Sequence, residues 1–196
     1  MNDTDRLQRL ADRMEIQDLM ARYSRCVDRA QWAGLREIYH PDAVDDHGAY
    51  VGDVEGFIAW VSRRHAAITE AMHFLGNCLV DFAGPDTALV ETYFTAYMRI
   101  SGEAVAANAM FMQAGAGAGE SHDVVIRGRY VDRVERRAGV WRIAKRVTVF
   151  ESIDSRPANG PRPNPDHRWA SRSRDDTVFR MRDEIFGAGV EPERMI

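Results

Sequence analysis

The chain has 196 residues, of which 45% are hydrophobic and 29% charged, as expected of one globular domain. Its formal net charge is −4, so the chain lacks the overall excess of positive charge with which many proteins bind the phosphates of nucleic acids. Its two cysteines make no disulfide framework, and no apolar run approaches the ~20 residues that cross a bilayer. Because the N-terminus is polar and acidic, it does not resemble a secretory signal. We therefore expect a cytoplasmic protein that binds neither nucleic acid nor membrane.

The first part of the chain is predicted to be mainly helical. Apolar residues at three- and four-residue steps predict a long helix over residues 4–29. A second, short helix is predicted over residues 32–39, and Pro41 ends it. Residues 43–51 indicate a strand, and Asp53 then has the side chain to cap a third helix.

The rest of the chain changes to the period-two alternation of strands. We predict strands over residues 78–82, 88–100, 124–136 and 140–153. Residues 155–170, rich in proline and arginine, predict an extended arm, followed by a short terminal helix. Helices first and an antiparallel meander second indicate an α+β fold, with a pocket between the helices and a strongly bent sheet.

Single residues carry only weak functional signals. The six histidines include no helical pair at zinc-site spacing, so we predict no metal. His73 lies in an apolar stretch, and its spacing alone favours a buried core histidine. Asp28 is most simply an aspartate at a helix end. His47, in an acidic turn, is either solvated or a polar contact for a ligand. The apolar residues 105–113 are either a lid over a pocket or an extended strand end.

Several short motifs follow one another along residues 5–153. They are Ile16-Gln17-Asp18-Leu19, Tyr23, Val27-Asp28, His40-Pro41-Asp42-Ala43, Tyr50-Val51-Gly52-Asp53, Met72-His73-Phe74-Leu75-Gly76-Asn77, Gly128-Arg129-Tyr130 and Gly139-Val140-Trp141-Arg142-Ile143. Their order and spacing together resemble the SnoaL-like branch of the NTF2-like (cystatin-like) superfamily. The arm beyond residue 155 is not explained well by this resemblance.

The resemblance implies a cone-shaped α+β barrel, in which about three N-terminal helices pack on a strongly curved, mainly antiparallel sheet. Residues 1–153 would form this SnoaL-like domain, and residues 154–196 an arm and helix of the same domain. Proteins of this type usually pair through the outer face of the sheet. We therefore expect a homodimer or homotrimer, with the arm packed on a neighbour or over the mouth of the pocket.

Within the superfamily the chain looks most like three lyases: scytalone dehydratase, bile-acid 7α-dehydratase and lindane dehydrochlorinase. Their shared Asp–His dyad falls on Asp28 and His73, the tyrosine of the bile-acid enzyme on Tyr23, and an arginine of the last strand on Arg146. The resemblance implies a cofactor-independent elimination in which His73 removes an acidic C–H proton. Asp28 would orient the imidazole, Tyr23 would donate a hydrogen bond, and Arg146 would hold the leaving group or an anionic part of the substrate.

The resemblance also implies an apolar pocket for a small substrate, polycyclic and aromatic ones included. The expected substrate-binding residues are Met72, Phe74, Tyr93, Tyr97, Met110 and Phe111, with His47 as a polar contact. No cofactor is required, because an acidic C–H needs neither an electron sink nor a hydride carrier. Two alternatives remain: a polyketide cyclase or ketosteroid-type isomerase on the same residues, or a non-catalytic subunit or binding protein.

Overall fold

The structure, a computed structural model, describes residues 2–102, 120–160 and 164–189. Its helices are α1 (Asp3–Asp28), α2 (Leu35–Ile38), α3 (Val54–His65) and α4 (Thr177–Phe186), with a 3-10 turn at Trp32–Gly34 before α2. Its strands are β1 (Tyr39–Asp46), β2 (Val51–Asp53), β3 (Ile68–Phe82), β4 (Thr87–Ile100), β5 (His122–Arg137) and β6 (Val140–Pro157). Within these residues no helix is both long and apolar enough to cross a membrane.

The six strands form one curved sheet in the order β2-β1-β6-β5-β4-β3. The pairing of β1 with β6 is parallel and every other pairing is antiparallel. The predicted α+β class, with helices against a mainly antiparallel curved sheet, is confirmed. The sheet is not closed, because β2 and β3 remain its two edges.

The second half of α1 is the helix segment that the core buries. Ile16, Met20, Tyr23 and Val27 are buried there, whereas Leu7 near the start of the helix is largely exposed. Asp28 is the last residue of α1, and it is buried as well. The packing of this half of α1 therefore buries the carboxylate of Asp28. The periodicity of the apolar residues does not predict this burial.

Strand β3 begins ten residues earlier than the alternation predicts, at Ile68 rather than at Cys78. Its first half pairs with β4, and His73 lies opposite Ala96 in that ladder. Residues 68–77 show little alternation of apolar and polar side chains, but β4 provides hydrogen-bond partners for their backbone N–H and C=O groups. His73 is therefore a residue of the sheet itself, not of a connection into it.

An irregularity in the β5–β6 pairing changes which residues of β6 are buried. Ile143 pairs with Val134 and Lys145 pairs with Arg133, so Ala144 is an extra residue between two ladder pairs. The alternation shifts by one at this bulge, and Arg146 becomes buried on the same side as Ile143. The predicted common face of Trp141, Ile143, Val147 and Val149 therefore holds only for the two residues that precede the bulge.

The described part of the C-terminal arm packs against the end of α1 of its own chain. Arg29 at this end forms an ion pair of 3.3 Å with Asp176. An Nη2–H of Arg172 donates to the carbonyl of Val27 over 3.2 Å. Phe179 of α4 is almost completely buried. The arm thus covers the helix end that carries Asp28.

Candidate active site

Asp28 and His73 form a hydrogen-bonded pair between the end of α1 and the middle of β3. Asp28 Oδ1 lies 2.6 Å from His73 Nδ1, and Asp28 Oδ2 accepts the backbone N–H of His73 over 2.8 Å. Since an ionised carboxylate only accepts hydrogen bonds, Nδ1 carries the proton and Nε2 is left as a basic nitrogen. Both oxygens of Asp28 are used, which fixes the orientation of the imidazole.

His73 lines a cavity of about 50 Å³ between α1, α3 and the concave side of the sheet. Its lining combines aromatic and aliphatic side chains with three histidines: Tyr23, Val27, His47, Trp60, Val61, Arg64, His65, His73, Phe94, Ala96, Met98, Ile126, Tyr130, Thr148 and Phe150. We call it the dyad cavity. Its volume exceeds the ~10–15 Å³ that one water needs and is smaller than the ~300 Å³ at the low end of small-molecule sites.

Tyr23 lines the dyad cavity as the sequence analysis expects. Burial raises the pKa of its phenol, and the positive charge of Arg146 only partly offsets this effect. Tyr23 is therefore neutral at ordinary pH and has an O–H to donate.

Arg146 does not line the dyad cavity, although the family resemblance implies that it contacts the substrate. It is completely buried, and its Nε and Nη2 donate to the two oxygens of Asp132, each over 2.7 Å. Its guanidinium carbon lies 4.0 Å from the centre of the Tyr23 ring and 4.1 Å from that of Tyr130. Nη1 has no partner among the described residues. The structure makes Arg146 a support for two tyrosines of the cavity wall.

Three residues of the expected pocket wall lie on the other side of the sheet. Phe74 is 68% exposed and Tyr93 is 44% exposed, and neither lines the dyad cavity. The hydroxyl of Tyr97 instead donates to Asp123 over 2.9 Å. These residues alternate with the inward-facing side chains of the same strands, since neighbours in a strand point to opposite faces. The inward residues Phe94, Ala96 and Met98 form the wall.

Met72 lines a separate open depression of about 400 Å³, which also borders Asp28 and His73. Met110 and Phe111 lie outside the described residues, so their expected contact with the substrate stays a prediction.

His47 lines the dyad cavity, and its Nδ1 is hydrogen-bonded to Asp45 Oδ1. The sequence predicts His47 as a polar contact, but its pairing with Asp45 was not predicted. The aspartate two residues earlier on the strand was the available signal, because residues i and i+2 share a face.

His65 and Thr148 are two further polar residues of the cavity that the sequence analysis does not identify. Burial, followed by the charge of Arg172, lowers the pKa of His65 well below its usual value, so its ring is neutral. Thr148 Oγ1 is buried and has no partner among the described residues. It can therefore hydrogen-bond a ligand in the cavity.

A larger groove, of about 590 Å³, lies between the end of α1 and the arm. It has six arginines in its lining: Arg22, Arg25, Arg29, Arg172, Arg174 and Arg182. Neither Asp28 nor His73 lines this groove, so it is not the candidate active site. In the described ranges, no group of three or more His, Cys, Asp or Glu side chains is arranged to hold a metal ion.

The chain is similar to known proteins in both sequence and structure. The model of the SnoaL-like domain matches residues 8–147. Uncharacterised proteins of Mycobacterium tuberculosis and Mycobacterium bovis are each 30% identical over 143 residues, which cover 70% of this chain and 84% of theirs.

Two solved structures show the same fold at low sequence identity. A hexachlorocyclohexane dehydrochlorinase is 22% identical, with a TM-score of 0.65 over 82% of this chain and 99% of its own. A scytalone dehydratase-like protein of Novosphingobium aromaticivorans is 17% identical, with a TM-score of 0.62 over 83% and 97%. The match of the domain model and the identity to the mycobacterial relatives show that the chain belongs to the SnoaL-like family.

Proposed function

We propose that this protein is a cofactor-independent lyase that eliminates water, or a comparable leaving group, from a small apolar substrate. The observation that carries the proposal is the Asp28–His73 pair, whose 2.6 Å hydrogen bond leaves Nε2 as the basic nitrogen of a residue that lines the dyad cavity. The names of two structural neighbours, a dehydrochlorinase and a scytalone dehydratase-like protein, support an elimination.

In the proposed reaction, His73 Nε2 removes a proton from a carbon next to a carbonyl group. The electron pair of that C–H bond forms the new C=C bond, and the bond to the leaving group breaks. Asp28 stabilises the imidazolium that forms and holds the ring in the productive tautomer. General-base catalysis of this kind contributes ~10²–10⁴ in rate.

Tyr23 is the proposed donor to the carbonyl oxygen, on which negative charge develops. Its phenol is neutral and lines the same cavity as His73. Thr148 Oγ1, buried without a partner among the described residues, is a second donor for this oxygen. Donors that are fixed before the reaction stabilise developing charge without further reorganisation.

The substrate class follows from the lining and the volume of the cavity. The wall contributed by Phe94, Ala96, Met98 and Ile126 is apolar. The volume of about 50 Å³ favours the small end of the expected substrates over polycyclic ones.

The test is a comparison of His73→Gln and Asp28→Asn with wild type, while mass spectrometry follows the loss of water from small β-hydroxy ketones and aromatic dihydrodiols. We expect each variant to lose about 10²–10⁴ in kcat/KM, because the base or its orienting group is missing. His167→Gln is the control, since this exposed histidine belongs to the arm. An activity of His73→Gln within tenfold of wild type contradicts the proposal.

The two alternative functions give different results in the same assay. A cyclase or isomerase using the same base gives a product of unchanged mass, and this activity also disappears in His73→Gln. A non-catalytic binding protein gives no product, and its ligand still binds to His73→Gln.

We also propose that the protein self-associates, as a homodimer or homotrimer, through the outer face of the sheet. In the single chain this face exposes Met72, Phe74, Leu79, Leu89 and Tyr93, each by 44% or more. Exposed apolar side chains that share one face of a sheet are candidates for an interaction site.

A further inference from the structure

A second aspartate–histidine pair borders the dyad cavity, at the end of β1. Asp45 is completely buried, and its Oδ2 accepts the hydroxyl of Tyr39 over 2.6 Å. Its Oδ1 is hydrogen-bonded to Nδ1 of His47. As in the first pair, the carboxylate is the acceptor, so Nδ1 carries a proton. Nε2 of His47 has no hydrogen-bond partner among the described residues and is the ring nitrogen left for a ligand.

The ring of His47 is held by packing as well as by Asp45. It stacks on Phe57 of α3, with ring centres 4.9 Å apart and planes 25° from parallel. Trp60 lies 5.8 Å away on the same helix. The side chain is only 12% exposed, so His47 is not the solvated turn residue that its acidic neighbours suggest. Its orientation is fixed before any substrate arrives.

The two pairs come from distant parts of the sheet. His73 lies on β3, which is one edge strand, and His47 directly follows β1, which is next to the other edge. Both imidazoles nevertheless line the same cavity. Two histidines, each with Nδ1 held by a buried carboxylate, therefore border a single space in which a substrate would lie.

An acid that protonates the departing hydroxyl group accelerates its elimination, because hydroxide is a poor leaving group. Arg146 does not fill this role, since it is paired with Asp132 and does not line the cavity. His65 lines the cavity, but its Nδ1 accepts a hydrogen bond from Nη2 of Arg172 over 3.2 Å, and its lowered pKa keeps it neutral. Among the described histidines of the cavity, His47 is left as the proton donor.

We propose that the Asp45–His47 pair is the general acid of the active site. This inference rests on the proposed elimination. His47, as the imidazolium, gives its Nε2 proton to the departing hydroxyl group, while neutral His73 takes the C–H proton. The C–H and C–O bonds break, the C=C bond forms, and water leaves. His73 ends protonated and His47 neutral, and proton exchange with solvent restores both. Tyr39 acts through Asp45 and is a positioning residue.

The test uses two probes that give the same product but differ in leaving group. The aldol of benzaldehyde and acetone loses water, and its β-chloro analogue loses chloride, which needs no proton; both give benzylideneacetone, whose absorbance is followed. We expect His47→Gln to lower kcat/KM by about 10²–10⁴ for the hydroxy ketone and by less than about tenfold for the chloro ketone. His73→Gln should lower both by about 10²–10⁴.

His40→Gln is the matched control, because this buried histidine on β1 bonds the carbonyl of Glu135 and does not line the cavity. The ratio of its kcat/KM for the hydroxy ketone to its kcat/KM for the chloro ketone should equal the wild-type ratio. Circular dichroism verifies that each variant is folded.

A probe without a leaving group separates the two proposals. Benzylacetone can only exchange its α-protons for deuterium, a reaction that needs the base but no leaving-group acid. We expect this exchange to survive in His47→Gln and to be lost in His73→Gln. The proposal is overturned if wild type catalyses both exchange and elimination, but His47→Gln lowers kcat/KM equally for the hydroxy and the chloro ketone. It is also overturned if His47→Gln lowers kcat/KM for neither ketone. A wild-type protein that neither exchanges nor eliminates overturns the proposed function as well.

Discussion

Replacement of Arg146 by methionine tests whether this arginine supports the fold or contacts the substrate. Both Arg146 and Asp132 are 0% exposed, and two hydrogen bonds of 2.7 Å join them. The substitution leaves the carboxylate of Asp132 buried without its counter-charge. Burial already raises the pKa of Asp132 despite the nearby arginine, so the isolated group would take up a proton.

The expected cost is large for a single substitution. Removal of one partner of a buried ion pair typically costs about 3–5 kcal/mol. The contacts of the guanidinium with the rings of Tyr23 and Tyr130 are lost at the same time. For a chain of this size each kcal/mol lowers Tm by about 2–4 °C, so we expect a decrease of roughly 6–20 °C.

Denaturant unfolding gives the free energies, and Arg133→Met is the matched control. Arg133 forms an ion pair with Glu135 at the surface, with its own side chain 57% exposed, and exposed pairs contribute ~0–1 kcal/mol. The double variant Arg146→Met/Asp132→Leu should recover most of the lost stability, because no unpaired charge remains. The reasoning is refuted if Arg146→Met unfolds with a free energy within about 1 kcal/mol of wild type while elimination is lost. Arg146 would then be a substrate-binding residue, as its position on the last strand suggests.

Two further predictions concern acid sensitivity and assembly. Because burial lowers the pKa of His65, the unfolded chain binds its proton more tightly, and this residue reduces stability as the pH falls through the usual histidine value near 6.5. His65→Gln should therefore show a smaller decrease in Tm between neutral and mildly acidic pH than wild type, and an unchanged decrease contradicts the assignment. Phe74 is 68% exposed on the outer face of the sheet, so Phe74→Lys should convert the proposed oligomer to a monomer in size-exclusion chromatography with light scattering. Phe186→Lys, on the exposed side of α4, should leave the oligomer intact, and a wild-type monomer would refute the proposed self-association.

Periodicity predicted most of the elements because their signal is local. The helix over residues 4–29 and the strand over 88–100 are close to α1 and β4, since regular alternation and capping reside in the segment itself. The start of β3 was missed, because residues 68–77 become a strand through pairing with β4. Pairing between two strands depends on both segments, so it cannot be predicted from the residue pattern of one segment alone.

The candidate site was identified by resemblance rather than by spacing. Asp28 and His73 are 45 positions apart, and each residue by itself favoured an ordinary structural role. Their hydrogen bond agrees with the geometry that the family resemblance implies, although their catalytic role stays a proposal.

The sequence by itself determined the lack of excess positive charge and the α+β class, and its resemblance to the SnoaL-like family predicted the pair Asp28 and His73. Only the tertiary structure decided which polar groups share the dyad cavity. The bulge at Ala144 turns Arg146 into the interior and onto Asp132, and the curvature of the sheet brings His47 to the same cavity as His73. These outcomes depend on strand register and sheet curvature, which arise from contacts between distant segments and so leave no periodic signal in the chain.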